Sequence, residues 1–418
     1  MRRIALFALV LALAQTAHAE TLSEAMSSAA QSNPTIAAQR ERLRATREAL
    51  PQAWAAALPQ ASISASASSG DRYGVGAGPS ADRSEGWSGG VSASQLLFDT
   101  GATWNSTRQA RAQIAGAMAD YDGAYQQLLL DVASAYANVR QSQAIVAARE
   151  TTVSNLTEQQ RFVTAQFEAG VVTRTDQAQA DARLAQARTQ LVQAQGQLAA
   201  AVEAYVRLVG HAPSDLSAPA EAQGLPADLE AALTQAIQTN PSLIGALASA
   251  RQADAAVDSA WSNFGPRVSL EAGASLGSDF DQSNDDYSSD SVGVRFSMPL
   301  FTGGANASRV RQQRALRSAA NLDVASVQRT TRELVTNSWT GLQSARSAVT
   351  SAQDQVRASE LAYRGIRLEQ ETGLRTTIDV LNQEADLLTA RLALAQAERD
   401  LVIAERQMLA SMGVLTAQ

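Results

Sequence analysis

Apolar residues in this chain recur on two different periods. In the Pro-free stretches Ala102 to Glu168 and Ala305 to Glu371, each 67 residues, they fall on sevens: Val132, Val139, Val146 and Val153 in one, and Val335, Leu342, Val349, Val356 and Tyr363 in the other. Two shorter stretches do the same, with Leu184, Leu191, Leu198 and Tyr205 matched by Leu387, Leu394, Leu401 and Met408. Sustained heptads predict long helices wound as left-handed coiled coils. Gln, Ala, Ser, Thr and Arg fill the positions between the seams, so both broad faces of these helices can be wet. Elsewhere the period drops to two. Val268, Leu270, Ala272, Ala274 and Leu276 alternate with polar or small residues, as do Val292, Val294, Phe296, Met298 and Leu300. Ile63, Ala65 and Ala67, then Trp87, Val91 and Ala93, repeat the pattern more weakly. Strands are expected near 60–69, 87–98, 267–278 and 291–301, with Pro299 close to a strand end because it cannot donate to a ladder. Segments of ~10 residues with one apolar and one polar face are typical of outer-membrane strands. A soluble sheet with one buried face gives the same alternation.

The elements come twice. Asn33-Pro34 recurs as Asn240-Pro241 and Pro59 as Pro266, at an offset of 207. Leu97-Phe98 then recurs as Leu300-Phe301, Gly101 as Gly304, Tyr136 as Trp339, Gly170 as Gly373, Asp176 as Asp379 and Gly210 as Gly413, at an offset of 203. The slip falls between Pro59 and Phe98, where loops absorb length changes. An internal duplication follows, with repeats at 20–210 and 228–413, a proline-containing linker at 211–227 and a short tail at 414–418. Residues 1–19 read as a signal peptide: Arg2 and Arg3, an apolar run from Ile4 to Ala14, and the small-residue site Ala17-His18-Ala19. Eleven apolar residues fall short of the roughly 20 a membrane helix needs, so an exported protein without a helical anchor is expected.

Composition removes several chemistries. All 34 basic residues are Arg, the formal charge of −7 becomes −9 once Arg2 and Arg3 leave with the signal, and Cys is absent. Disulfides, thiolate metal sites and cysteine nucleophiles are excluded, and net acidity disfavours nucleic acid as a partner. Aromatic residues make up 5% of the chain, few for large globular cores. His211 has no second His or Cys in the mature chain with which to share a metal. Asp279, Asp281, Asp285, Asp286 and Asp290 lack the spacing of a calcium loop and are expected in a solvated extracellular loop. The glycine-rich Gly74 to Pro79 lacks the helix that a phosphate loop opens. No catalytic set, metal site or cofactor is expected.

If the strands lie in lipid, their edges must be paired, because each unpaired backbone group there costs several kcal/mol. Four strands cannot close a barrel when the smallest membrane barrels have about eight. Identical copies would then share one barrel of 4 × 2, 4 × 3 or 4 × 4 strands, continued by the long helices as a helical barrel wet on both sides.

In this order, the paired Asn-Pro openings, Leu97-Phe98-Asp99-Thr100-Gly101, Pro299-Leu300-Phe301-Thr302-Gly303-Gly304, the tips Ala169 to Val172 and Thr372 to Arg375, and Thr377-Ile378-Asp379-Val380-Leu381-Asn382 resemble the TolC-type outer-membrane channel family over nearly all of residues 20–413. The resemblance implies mixed α and β structure: a homotrimer forming a 12-stranded transmembrane β-barrel continued by a long periplasmic α-helical coiled-coil barrel. It implies a passive outer-membrane channel in a tripartite efflux or type I secretion system, fed by an inner-membrane efflux pump or ABC exporter through a periplasmic membrane-fusion adaptor protein, and surrounded by outer-membrane lipid. It further implies a pore constriction at Asp379, with Asn382 where the family's pattern has a second aspartate, so the ring carries one formal charge per chain. Three such carboxylates around one axis would raise one another's pKa. Arg375 and Asp176 match a latch pair, and Gln370 replaces a tyrosine that helps it. Gly170, Val171, Gly373 and Leu374 match helix tips gripped by the adaptor. From the residues alone a second reading is an exported periplasmic or surface coiled-coil structural protein with a soluble β-sheet.

Overall fold

The computed structural model describes residues 19–73, 81–279 and 285–417. The first repeat gives α1 (Leu22–Ser32), α2 (Pro34–Arg47), α3 (Ala49–Ala55), β1 (Gln60–Tyr73), β2 (Ala81–Phe98), α4 (Ala102–Glu168) and α5 (Arg174–Val209). The second gives α6 (Leu229–Thr239), α7 (Pro241–Ser262), β3 (Arg267–Asp279), β4 (Asp285–Ser297), α8 (Ala305–Glu371) and α9 (Thr377–Met412). The two Pro-free stretches are the 67-residue helices α4 and α8, each about 100 Å long at ~1.5 Å per residue. Helices α5 and α9 have 36 residues each. The chain divides into two compact units, one holding described residues 19–39, 122–240 and 330–417, the other 40–121 and 241–329.

The first unit is helical. Its heptad residues form the seams: Val132, Val139, Leu184, Tyr205, Val335, Leu342, Tyr363, Leu387 and Met408 are buried and the others half-buried. One cluster joins Leu156 of α4, Leu184 and Ala187 of α5 and Leu381 of α9; a second joins Tyr363 of α8 to Val380 and Leu387 of α9. The Asn-Pro motifs explain how the long return helices end. Pro34 and Pro241 open α2 and α7, where a missing N–H costs nothing. Asn33 donates from Nδ2 to the Leu208 carbonyl at 3.0 Å, and Asn240 to the Ser411 carbonyl at 2.9 Å. The preceding hydroxyls, Ser32 and Thr239, donate to Val209 and Met412. The duplicated motif thus satisfies carbonyls that α5 and α9 would otherwise leave unpaired. Gly210 and Gly413 follow at φ 97° and 84° as left-handed caps. At Gly413 a Cβ would press on the Thr239 carbonyl.

The 211–227 segment and the chain start are tied together. Glu20 is buried, its N–H donates to Asp215 O at 2.7 Å, and its carbonyl accepts from Ser217 N–H and from the Tyr136 hydroxyl at 2.8 Å. Tyr205 donates to its carboxylate at 2.6 Å. Further along, the buried neighbours Glu405 and Arg406 pair with each other and grip the backbone at Ala222 and Ala220. Burial pushes the Glu405 carboxyl up, opposed by the Ala222 N–H and Arg406.

The second unit carries the sheet, ordered β1-β2-β3-β4 and antiparallel throughout, with β1 and β4 at its edges. Register places Ile63, Val91 and Ala274 in one row, which ends on Asp290 at the β4 edge, and Ala61, Ala93, Ala272 and Val292 in another, all on one face. That face is bare within the chain: Ile63 is 83% exposed and Val292 79%. The opposite face carries serine pairs, Ser62–Ser92 and Ser66–Ser88 at 2.8 Å, and the two-pronged Arg295–Glu271 pair at 2.6 and 2.8 Å.

The strands differ in extent from the sequence expectation. β1 and β2 run further, to Tyr73 and from Ala81, and β4 begins at Asp285. Asp286 and Asp290 therefore pair with Ser278 and Ala274 inside the ladder rather than lying in a loop. Polar residues on both faces, such as Asp286 through Ser291, leave no period to read, although the ladder still pairs their backbone. β4 stops at Ser297, short of the expected 301, where Pro299 has no N–H to offer. Asp281 and Gly74 to Pro79 lie outside the described residues.

Candidate functional site at the helix tips

Each long hairpin turns on the same few atoms. After α4, Gly170 sits at φ 74°, and Val171 N–H reaches back to Gln166 O at 2.8 Å; after α8, Gly373 sits at φ 80°, and Leu374 N–H reaches Glu369 O at 2.8 Å. Such six-to-one bonds finish a helix with a glycine where other residues would be strained. Chain direction then throws Val171 and Leu374 outward, 69% and 76% exposed. The return helices begin with matched capping boxes. Thr173 N–H and Oγ1 donate to Asp176 at 2.9 and 2.7 Å, and Thr376 N–H and Oγ1 donate to Asp379 at 3.0 and 2.7 Å. These bonds hold both carboxyls below their ordinary range, with Arg375 adding to the effect at Asp379.

The second tip holds a cation in contact with a carboxylate, which among the described residues the first does not. Arg375 Nε donates to Glu369 at 2.9 Å, and Glu369 followed by Asp379 raises the guanidinium pKa. Within one chain Arg375 is thus paired with Glu369, and Asp176 is occupied by its own cap; the two are not paired with each other. Gln370 is buried, accepting from Gln159 of α4 at 3.1 Å and facing the Thr377 hydroxyl at 3.4 Å. Asn382 is exposed, with Arg183 of α5 at 3.5 Å.

One buried group behind the tip escaped the sequence reading. Glu384, 2% exposed, accepts from Asn155 Nδ2 through both oxygens at 3.2 Å and is hydrogen-bonded to Tyr363. Burial and Glu384 raise the Tyr363 phenol, against a smaller opposing effect of Arg367. A signal was available: Glu384 falls between Leu381 and Leu387 on the α9 seam, where a charged residue is out of place. With Gln159, Gln370 and Thr377 it makes the inner contact of the two hairpins polar near their tips. Among the described residues no cluster of His, Cys, Asp or Glu could hold a metal ion, and no helix is long and apolar enough to cross a membrane.

The outer membrane efflux protein family profile matches residues 25–211 and 232–414, once per repeat. The chain belongs to this family. It is 30% identical to the outer membrane efflux protein BepC of Brucella suis over 96% of this chain and 87% of that one. It is 27% identical to the outer membrane protein TolC of Vibrio cholerae over 97% and 93%. In structure it superposes on the channel CusC with a TM-score of 0.80 at 19% identity, covering 94% of this chain and 92% of that one. This efflux-family chain is therefore an outer-membrane channel protein with a periplasmic helical part, and the soluble coiled-coil reading is set aside. The membrane-facing element is the sheet, whose bare apolar face now has lipid to meet.

Proposed function

We propose that three copies of this chain close their four-stranded sheets into one 12-stranded barrel and their helices into a periplasmic tunnel. This duct would passively carry cargo from an inner-membrane pump or exporter to the exterior. The open β1 and β4 edges carry the reading, since lipid tolerates no unpaired edge. The polar sheet face of serines and the Arg295–Glu271 pair suits a water-filled lumen.

The tips are the adaptor contacts and the gate. Val171 and Leu374, held outward by positive-φ glycines, offer matched apolar points to a periplasmic adaptor. Asp379 lines the narrow mouth as a ring of three, with Asn382 one turn further on. Arg375 is the movable part of the gate: at an exposed tip its bond to Glu369 is exchangeable at little cost, and Asp176 of a neighbouring copy offers an alternative carboxylate. Gln370, buried against Gln159 and Thr377, fixes the hairpins behind the latch rather than joining it.

Planar-bilayer conductance of purified mature protein, wild type beside Arg375→Ala, tests the gate. Small discrete wild-type steps that grow in the variant, with trimer stability unchanged, are the expected outcome. Equal steps would remove the latch assignment, and reproducible failure of folded oligomers to insert would overturn the channel.

A further inference from the structure

The second unit has four crossings between helix and sheet, and each exposes large apolar side chains. Trp54 and Leu58 precede β1, and Phe98 and Trp104 flank the exit from β2. Trp261 and Phe264 precede β3, with rings 5.4 Å apart, and Leu300 and Phe301, about 90% exposed, follow β4. Rings at this level suit the boundary where a bilayer meets water.

Charge at the same level runs against the chain as a whole. The mature chain is acidic, yet no Asp or Glu occurs between Asp290 and Asp323, where Arg295, Arg309, Arg311, Arg314 and Arg317 fall. Two nearby arginines are neutralised by α7: Arg108 lies 2.6 Å from Asp258, and Arg317 lies 3.9 Å from Asp254. Arg111, Arg309, Arg311 and Arg314 are exposed and, among the described residues, have no carboxylate in ion-pair reach. Two of them are held in the same way from different repeats. The Arg111 guanidinium lies 5.9 Å over the Trp104 ring, and that of Arg314 lies 5.4 Å over the Trp261 ring. A guanidinium laid on an indole keeps its N–H edge free for a two-pronged bond to phosphate, while the ring fixes its position.

Resting on the outer-membrane reading, we propose that this collar binds the phosphates of anionic phospholipids in the periplasmic leaflet. A dissolved anion would need the arginines alone. The rings beside them, continuous with the apolar sheet face, fit a phosphate that comes with acyl chains attached. Each arginine removed is expected to weaken binding about fivefold.

The test uses the full mature chain released from detergent, with phosphatidylglycerol or phosphatidylcholine added and bound lipid counted by native mass spectrometry. Wild type should retain phosphatidylglycerol in preference. Arg111→Gln, Arg309→Gln, Arg311→Gln and Arg314→Gln combined should erase the preference, whereas Arg108→Gln with Arg317→Gln should keep it. Equal retention by wild type and the four-site variant would overturn the proposal. So would loss of oligomers in that variant with lipid preference intact, which would assign the arginines to a contact between copies. Where the four-site variant does not fold, Arg111→Gln and Arg314→Gln are read singly, and unchanged preference in both overturns it equally. Insertion into phosphatidylcholine vesicles separates the two levels: a chain that inserts without preferring phosphatidylglycerol defeats the collar alone, and one that does not insert defeats the outer-membrane reading.

Discussion

The two repeats build the same skeleton and finish it differently. Both leave the sheet through two successive left-handed residues, Thr100 and Gly101 at φ 55° and 81° in the first repeat, Gly303 and Gly304 at 60° and 82° in the second. A β-branched residue at positive φ is strained, so Thr100 needs compensation that Gly303 does not. It comes from the other repeat: the Thr100 hydroxyl donates to Pro266 O at 2.8 Å, and its side chain lies over Gly265. Gly265 in turn stands where the first repeat has Leu58. The long helices diverge likewise. Around Tyr136, α4 is buried on nearly every side, from Leu128 to Val139, and the tyrosine hydroxyl bonds to both Glu20 O and Ser217 O. Its counterpart Trp339 on α8 is half-buried, and Leu334 beside it is exposed. Duplication kept the lengths of the long helices, their turns and their caps. The asymmetry came afterwards, wherever one copy had to accommodate the chain start, the linker or the other copy.

Truncating the paired positions breaks this comparison hardest. Tyr136→Ala empties a fully buried site and removes the hydroxyl shared between the Glu20 and Ser217 carbonyls, and should cost about 3–5 kcal/mol. Trp339→Ala should cost about 1 kcal/mol, in the range of ordinary substitutions. Urea unfolding of the detergent-held protein, followed by helix circular dichroism, gives both values. Equal losses would mean that the belt around α4 does not set its stability.

The strained turn allows a sharper, smaller test. Gly265→Ala puts a Cβ into Thr100 and should cost about 1–3 kcal/mol. The same substitution in a Thr100→Gly background should cost little, because the second repeat's own solution has been copied into the first. A coupling near zero in that double-mutant cycle would separate the glycine from the threonine.

Much of this was legible in the sequence where one side chain per turn or per strand pair reported its surroundings. The bounds of α4 and α8 follow from glycines, Gly101 and Gly304 just before them and Gly170 and Gly373 just after, with no proline between. The tip glycines and the Asn-Pro clamps were visible as repeated motifs, though not that Asn33 and Asn240 end α5 and α9. The far ends of β1, β2 and β4 were not legible, because Gly70 or Ser288 reads the same on either face of a sheet. Contacts such as Glu20 with Tyr205, or Arg406 with Ala220, link residues about 185 apart in the chain, and no local pattern announces them. Gln370 was legible only by resemblance, in place of a tyrosine that helps the proposed latch, and its buried bonds to Gln159 and Thr377 depend on how two hairpins pack.

The smallest expected effect separates equivalent carboxylates with different surroundings. Asp176 and Asp379 cap their helices alike, and both are held below their ordinary value by threonine donors. For a depressed carboxyl, the contribution to stability is present above the unfolded-state pKa and is lost as pH falls through the folded-state pKa. Both caps should therefore persist at neutral pH and fail only in strong acid. In the proposed trimer Asp379 additionally faces two copies of itself, and that repulsion opposes the cap and moves its titration upward. Asp176, outside the ring, keeps the capped value. Cation conductance should then fall, as pH is lowered, at a higher pH than the cap alone would set in wild type and in Asp176→Asn, and stay flat in Asp379→Asn. If Asp176→Asn removed the pH dependence instead, the constriction would belong to the first repeat's tip.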